Sequence, residues 1–405
     1  MGWEFKPSMV KKRTVSIVNK TAQLKMLPQF YQTHLATRLN CRQLLTLQLL
    51  VGLLQFHKQV RIERLAALFP QPILYESRRR YLQRFLKLPH LSVATLWLPI
   101  IEHLIKTHFC KNKRLFVSLD RTQWKDYNLF VVSVIWSKRA WPIYWNFLDK
   151  RGCSNLLEQQ ALLRPVIRML KNYDYVIVGD REFHSVELAK WLSVKGVAFA
   201  LRQKSDTYIQ VKSGDFQQLK SLGLSPGMKR FIPGVKVTKN KGFGKLSIAC
   251  YWKRKYKNRN LDEPWYILTN LKNLSEALTA YKARSGIESM FKDCKSGGYN
   301  LEGSKASVER LIRLVLLIAI AYTITALQGL KIKELGQQKY INRLQEVGRV
   351  CKRHSNFWVG QYGLLWIAAI EQWSDLAEEL MRNKPHKMPF FQKGLRAITF
   401  IQSAF

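Results

Sequence analysis

Three runs, RLFVSLDRTQW (114–124), LFVVSVIW (129–136) and RAWPIYWNFL (139–148), decide how this chain is read. Each is rich in β-branched and aromatic residues, with turn material between them, the pattern of consecutive antiparallel strands. A helical stretch at about 156–171 follows. Next comes DYVIVGD (174–180), a nearly all-apolar run of the kind that forms a strand buried on both faces. A second helix, SVELAKWLSVKG (185–196), leads into VAFALR (197–202).

Three meander strands followed by alternating strand and helix match the order of a ribonuclease H-like α/β core, which is the expected fold class. Upstream, QLLTLQLLVGLLQ (43–55), VRIERLAALF (60–69), ESRRRYLQRFLKL (76–88) and LSVATLWLPIIEHLIKTHF (91–109) read as helices separated at Pro70, Pro72 and Pro89. Downstream, 203–265 is Gly-rich, Lys-rich and alternating, and reads as a β-rich insertion. YILTN (266–270) returns to the core, and a long helix is expected from an N-cap at Ser275 to about Ser296, stopped by Gly297-Gly298. The expected organisation is a helical DNA-binding domain with a basic arm (1–110) and the first part of the core (111–202). The insertion (203–265), the rest of the core (266–330) and a helical C-terminal region (331–405) complete it.

The 405 residues carry 67 Lys and Arg against 27 Asp and Glu, a formal charge of +40, while 47% are hydrophobic. That apolar fraction excludes a disordered basic tail. The charge calls for a polyanionic partner, nucleic acid first. It is also dispersed: 16 basic against 4 acidic residues in 1–105, and 15 against 4 in 201–265, so no single docking tail explains it. The six cysteines are far apart and form no zinc-ribbon pair, which favours a reducing compartment. The start, MGWEFKPSMVKKR, lacks the apolar region of a signal peptide. LVLLIAIAYTITALQGL (314–330) sits at the lower length limit for a membrane span, but its Tyr, Thr and Gln residues favour a buried core helix.

Asp120 ends the apolar run LFVSLD and Asp180 ends YVIVGD. Functional side chains of α/β sheets collect just beyond strand ends. An isolated Asp there is usually a turn former or helix cap. Two with the same apolar lead-in, in a chain short of acids, point to chemistry; with a third carboxylate they make the all-oxygen surroundings that Mg²⁺ prefers. YKARSGIESMFKDCK (281–295) supplies the third. Tyr281, Glu288 and Lys295 are successive heptad steps, each returning to within about 20° of the last, and Arg284 lies about 60° off that line. One stripe thus carries phenol, guanidinium, carboxylate and ammonium, where an ordinary amphipathic helix would place apolar residues. The structural alternative is a solvated face with an Arg284–Glu288 pair. Gly286 weakens the helix by roughly 1 kcal/mol relative to Ala and suits close approach of another backbone.

This segment resembles the DDE transposases of bacterial insertion sequences, in the subgroup marked by a Tyr-x2-Arg-x3-Glu-x6-Lys signature. The signature is complete as Tyr281, Arg284, Glu288 and Lys295, with the second acid in GDREF (179–183) and the first in SLDRT (118–122). The resemblance covers about 114–330. It implies a ribonuclease H-like core whose Asp120, Asp180 and Glu288 hold two Mg²⁺ ions, with Mn²⁺ able to substitute, and an insertion between the second and third acids. It also implies cleavage at the terminal inverted repeats of an element and transfer of the freed 3′-hydroxyl into target DNA. Tyr281, Arg284 and Lys295 would grip phosphates near the scissile bond. Double-stranded DNA would be the partner, in a synaptic homodimer, in the bacterial cytoplasm at the nucleoid, with no membrane partner.

Further DNA contacts are expected from Arg78, Arg79 and Arg80 on the arginine-rich helix, from Lys253, Arg254 and Lys255, and from Arg181 after the second acid. Arg181 has pairing with Glu182 or Glu187 as its alternative. Glu182 should point away from the site, and His184 reads as a capping or surface residue. Some relatives insert a Trp from the insertion to hold a flipped base. Trp252 and Trp265 are the local candidates, with Trp265 reading as core. A ribonuclease H-fold nuclease or junction resolvase is the competing reading, since that class needs the acids but not the Tyr-Arg-Lys stripe.

Overall fold

The computed structural model describes residues 27–212, 214–239, 243–254, 263–345, 347–348 and 354–405. The basic arm and Lys255 lie outside the described residues. Gln29–Ile324 form one compact unit, and Thr325–Phe405 lie in a second.

The larger unit opens with helices α1 (Gln29–Ala36), α2 (Cys41–His57), α3 (Ile62–Leu68), α4 (Tyr75–Phe85) and α5 (Leu98–His108). Asn40 and Gln43 form a reciprocal capping box that starts α2. Trp97, fully buried, donates its indole N–H to the Pro142 carbonyl at 2.9 Å and so ties the helical region to the sheet.

The sheet follows as β1 (Leu115–Trp124), β2 (Tyr127–Trp136) and β3 (Arg139–Phe147), then α6 (Leu156–Met169), β4 (Tyr175–Gly179), α7 (Val186–Val194) and β5 (Ala198–Arg202). Segment 203–265 supplies β6 (Tyr208–Val211), β7 (Phe216–Gln218), β8 (Lys229–Val237), β9 (Phe243–Tyr251) and the start of β10 (Trp265–Thr269). All ten strands form one sheet, in the order β3-β2-β1-β4-β5-β10-β9-β8-β6-β7. β1, β2 and β3 pair antiparallel, whereas β1–β4 and β4–β5 are parallel. The β-rich segment therefore extends the core sheet through β9 against β10.

The long helix expected over 275–296 is two helices, α8 (Leu274–Ala283) and α9 (Ser285–Cys294), meeting at Arg284. The N-cap is Asn273, whose side chain accepts from the Glu276 N–H, and not Ser275. Ala277, Leu278 and Tyr281 of α8 pack with Val176, Val178, Ala200 and Ile267 in one buried cluster. α9 is held to β3 where Arg139 donates to Asp293 at 2.8 Å. Gly286 permits the approach: a Cβ there would lie 2.8 Å from the Arg139 carbonyl oxygen.

α10 (Val308–Glu334) is long and apolar enough to cross a membrane, and 83% of its most apolar window is buried inside the protein, as a core helix requires. In the smaller unit, α11 (Gln338–Ile341), α12 (Asn356–Arg382) and α13 (Met388–Gln402) follow. Val359, Ile367 and Ile401 pack with Ile332 there.

Candidate active site

Parallel pairing of β1 with β4 sets Leu119 opposite Gly179, so Asp120 and Asp180 stand side by side one step further on. Alternation along β1 sends Asp120 and Arg121 to opposite faces of the sheet. Asp120 is buried and accepts the Arg121 N–H at 2.7 Å; Asp180 accepts the Glu182 N–H at 2.9 Å, capping the short turn Arg181–Phe183. The capping role that a strand-end Asp usually plays is therefore filled by Asp180 beside its neighbour.

Arg284, at the junction of α8 and α9, reaches between two acids. Its guanidinium donates to Asp120 at 3.1 Å and pairs also with Glu288, one turn along α9. Burial pushes the Asp120 carboxyl up to about 7; Arg284 opposes this, and the negative charges of Asp180 and Glu288 add to it. Three carboxylates thus repel one another around a single cation. Glu288, with 56% of its side chain exposed, is the freest of them.

Among the described residues, no group of three or more His, Cys, Asp or Glu is close enough to hold a metal ion. The donor chemistry nevertheless fits a hard divalent cation: the acids offer only oxygen, and Arg284 stands where positive charge is needed. Asp120, Asp180 and Glu288 are the residues that would hold it.

Other expected contacts are distributed unevenly. Tyr281 is buried edge-on against Trp265, with ring centroids 5.0 Å apart, and burial raises its phenol. It packs, with the Arg284 guanidinium 5.9 Å from its ring. Lys295 has left the helix: it caps α9, bonds Glu302 at 2.6 Å and lies 5.6 Å above the Trp124 ring. Arg181 pairs with Glu263, rather than with Glu182 or Glu187 as its sequence alternative had it. Arg78 donates to the Ala67 and Phe69 carbonyls at the end of α3, Arg79 pairs with Glu76, and Arg80 is exposed. Trp252 and Lys253 are half-buried, and Arg254 lies over Gly227. The His184 ring nitrogen bonds the Arg181 carbonyl at 2.7 Å, within the turn.

Glu182 does point away from the three acids, but it is not spare. It accepts the Arg121 guanidinium at 2.8 and 3.0 Å, and the Ser154 N–H and hydroxyl at 3.1 Å. Sequence reasoning gave Arg121 no role. Its one signal is position: a base directly after the first acid and an acid two places after the second.

A cleft of about 640 Å³ lies beyond the Asp180 turn, between His184–Glu187 and Lys204, Tyr208 and Lys239, and none of the three acids lines it.

Residues 154–324 match the family described as "Transposase DDE domain". The match takes in Asp180, Arg284 and Glu288; Asp120 precedes it. No curated protein matches the chain. Among solved structures, a piggyBac transposase synaptic complex with hairpin DNA is similar at 13% identity and a TM-score of 0.38, over 86% of this chain and 78% of that one.

Proposed function

We propose that this protein is an insertion-sequence DNA transposase that cleaves DNA at the ends of its element and joins the freed 3′-hydroxyl to target DNA. The observation that carries the reading is the placement of Asp120 in β1 beside Asp180 at the end of the parallel strand β4, with Arg284 linking Asp120 to Glu288 of α9. The family match over 154–324 and the charge of +40 support it. The strand order β3-β2-β1-β4-β5 is the reason for reading the core as ribonuclease H-like.

On this reading, the three carboxylates would hold Mg²⁺, or Mn²⁺ in its place. Two such ions would supply Lewis-acid charge to the attacking and the leaving oxygens of a phosphodiester. The chain's own residues do the rest. Arg284 neutralises Asp120 and Glu288 in the free protein and turns to a backbone phosphate when DNA is bound, a geometry that guanidinium suits. Tyr281 fixes the end of α8 beneath it, and Lys295, paired with Glu302 past the end of α9, supplies charge from off that stripe. Double-stranded DNA is the partner, and joining two ends in one event calls for a synaptic homodimer. A cytoplasmic, nucleoid-associated bacterial location accords with this role.

The test uses Asp120→Asn, Asp180→Asn and Glu288→Gln. Each should abolish Mg²⁺-dependent cleavage of element-end DNA while salt-sensitive binding remains in gel shift. Near wild-type cleavage by any variant removes that residue from the set. Wild-type protein should also join a pre-cut end to a plasmid. Cutting without joining gives the place to a ribonuclease H-fold nuclease or junction resolvase.

A further inference from the structure

Beyond the three acids, the larger unit carries a second cluster of one charge. Ser77, Arg80, Gln83, Arg84 and Lys87, from α4 and the residues just after it, face Arg310 of α10 across a cleft of about 430 Å³. No carboxylate lines it. Among the described residues, Arg80, Arg84, Lys87 and Arg310 have no ion-pair partner, and the Arg310 Nε is buried without a hydrogen bond. The contrast on the same helix is informative. Arg78 is occupied by carbonyls of α3 and its neighbour Phe69, and Arg79 by Glu76. The fold engages one guanidinium nitrogen of Arg78, whose Nε is also buried without a hydrogen bond, and pairs Arg79, but it leaves the next three cations facing a fourth from a distant part of the chain.

Four like charges around one concavity repel each other unless an anion sits among them. The partial negative charge at a helix C-terminus favours cations in the last turn, which accounts for Arg84 alone. It does not account for Arg310, on the first turn of α10, where the dipole disfavours positive charge. Arg80 and Arg84 are one turn apart, and Lys87 lies about 10 Å along from Arg80 at ~1.5 Å per residue. That reach covers several backbone charges of duplex DNA, which carries one per about 1.7 Å of axis. Four cations beside two neutral polar side chains, Ser77 and Gln83, with no carboxylate, match phosphate oxygens better than base edges.

We infer that this cleft between α4 and α10 is a sequence-independent clamp for the phosphodiester backbone of duplex DNA, using Arg80, Arg84, Lys87 and Arg310. The inference rests on the DNA-transposase reading and adds to it a binding site apart from the three acids. Arg78 and Arg79 are excluded from it.

The experiment measures affinity for an element-end duplex and for a scrambled duplex of equal length, by fluorescence anisotropy between about 50 and 200 mM salt. The proteins are full-length wild type, R80Q, R84Q, K87Q, R310Q, the quadruple variant and R79Q. Each cleft variant should weaken binding of both duplexes alike and lower the slope of log K against log salt by about 1. R79Q should leave the slope unchanged. Circular dichroism melts check folding, and the single variants carry the test if the quadruple variant unfolds. Unchanged slopes in the cleft variants, with wild type binding normally, overturn the clamp alone. Loss confined to the element-end duplex makes the cleft a base reader and also overturns it. Wild type that shows no salt-dependent DNA binding sinks the transposase reading itself.

Discussion

Arg121 and Glu182 are 61 positions apart and meet through both carboxylate oxygens, each within 3.0 Å of the Arg121 Nε. Each is also a residue whose backbone N–H holds one of the two acids: Arg121 for Asp120, within β1, and Glu182 for Asp180, just past β4. The side-chain pair thus fastens strand β1, which carries Asp120, to the turn that Asp180 caps. Both side chains are largely shielded from solvent, 16% and 12% exposed.

Glu182→Gln should therefore act on the acids at a distance. Breaking a shielded pair by removing one partner costs on the order of 3 kcal/mol. Supporting residues of metal sites typically change affinity or activity by about 10- to 100-fold. The expected outcome is a lower melting temperature together with weaker Mg²⁺-dependent cleavage and a smaller Mg²⁺-induced rise in that temperature. If the variant melts earlier but responds to Mg²⁺ as wild type does, the pair is structural only.

Arg284 yields a prediction of opposite sign. Its guanidinium already neutralises Asp120 and Glu288, so a divalent cation must compete with it. Arg284→Gln should bind Mg²⁺ more tightly than wild type in the absence of DNA, by several-fold, yet cleave DNA poorly. Calorimetric titration of DNA-free protein reads the first effect. Equal or weaker Mg²⁺ affinity in the variant would mean that Arg284 does not occupy the cation's place.

How much of this could be read from the sequence follows from where each piece of information resides. β1 to β5 are legible because dense β-branched runs lie between turns, and the ends of the apolar runs mark Asp120 and Asp180, although β1 continues past Asp120 to Trp124. The break at Arg284 is not legible: the segment has no Pro, and its local penalty, Gly286, is only about 1 kcal/mol. Docking of α9 on Arg139 decides it, and that contact is tertiary. The same holds for Lys295, which heptad counting keeps on the stripe and a helix end takes off it. Arg78 looks as available as Arg80 in one dimension; the α3 carbonyls that engage it appear only after folding.

Protonation of Asp120 gives a pH signature. In the folded protein its carboxyl lies at about 7, above the ordinary aspartate value of 3.8. An acid raised on folding binds more protons folded than unfolded, so its contribution to stability is full below about pH 4 and is lost as pH rises through about 7. Metal-free protein should therefore lose stability over that window, and Asp120→Asn should flatten the loss. Denaturant unfolding of both proteins at pH 5, 6, 7 and 8 gives the comparison. Parallel curves for the two would place the titration elsewhere.

Gly286→Ala sets two magnitudes against each other. Alanine favours an α-helix by about 1 kcal/mol over glycine. Its methyl group would also sit 2.8 Å from the Arg139 carbonyl oxygen and 3.0 Å from the Ile135 side chain. Overpacking of that kind typically costs about 1–3 kcal/mol. Because the nearer atom is backbone, α9 must shift, and the Arg139–Asp293 pair and Glu288 move with it. A net destabilisation with reduced cleavage is expected, read by urea unfolding and by turnover on end DNA. A more stable, fully active variant would show that α9 is not seated on β3 through this contact.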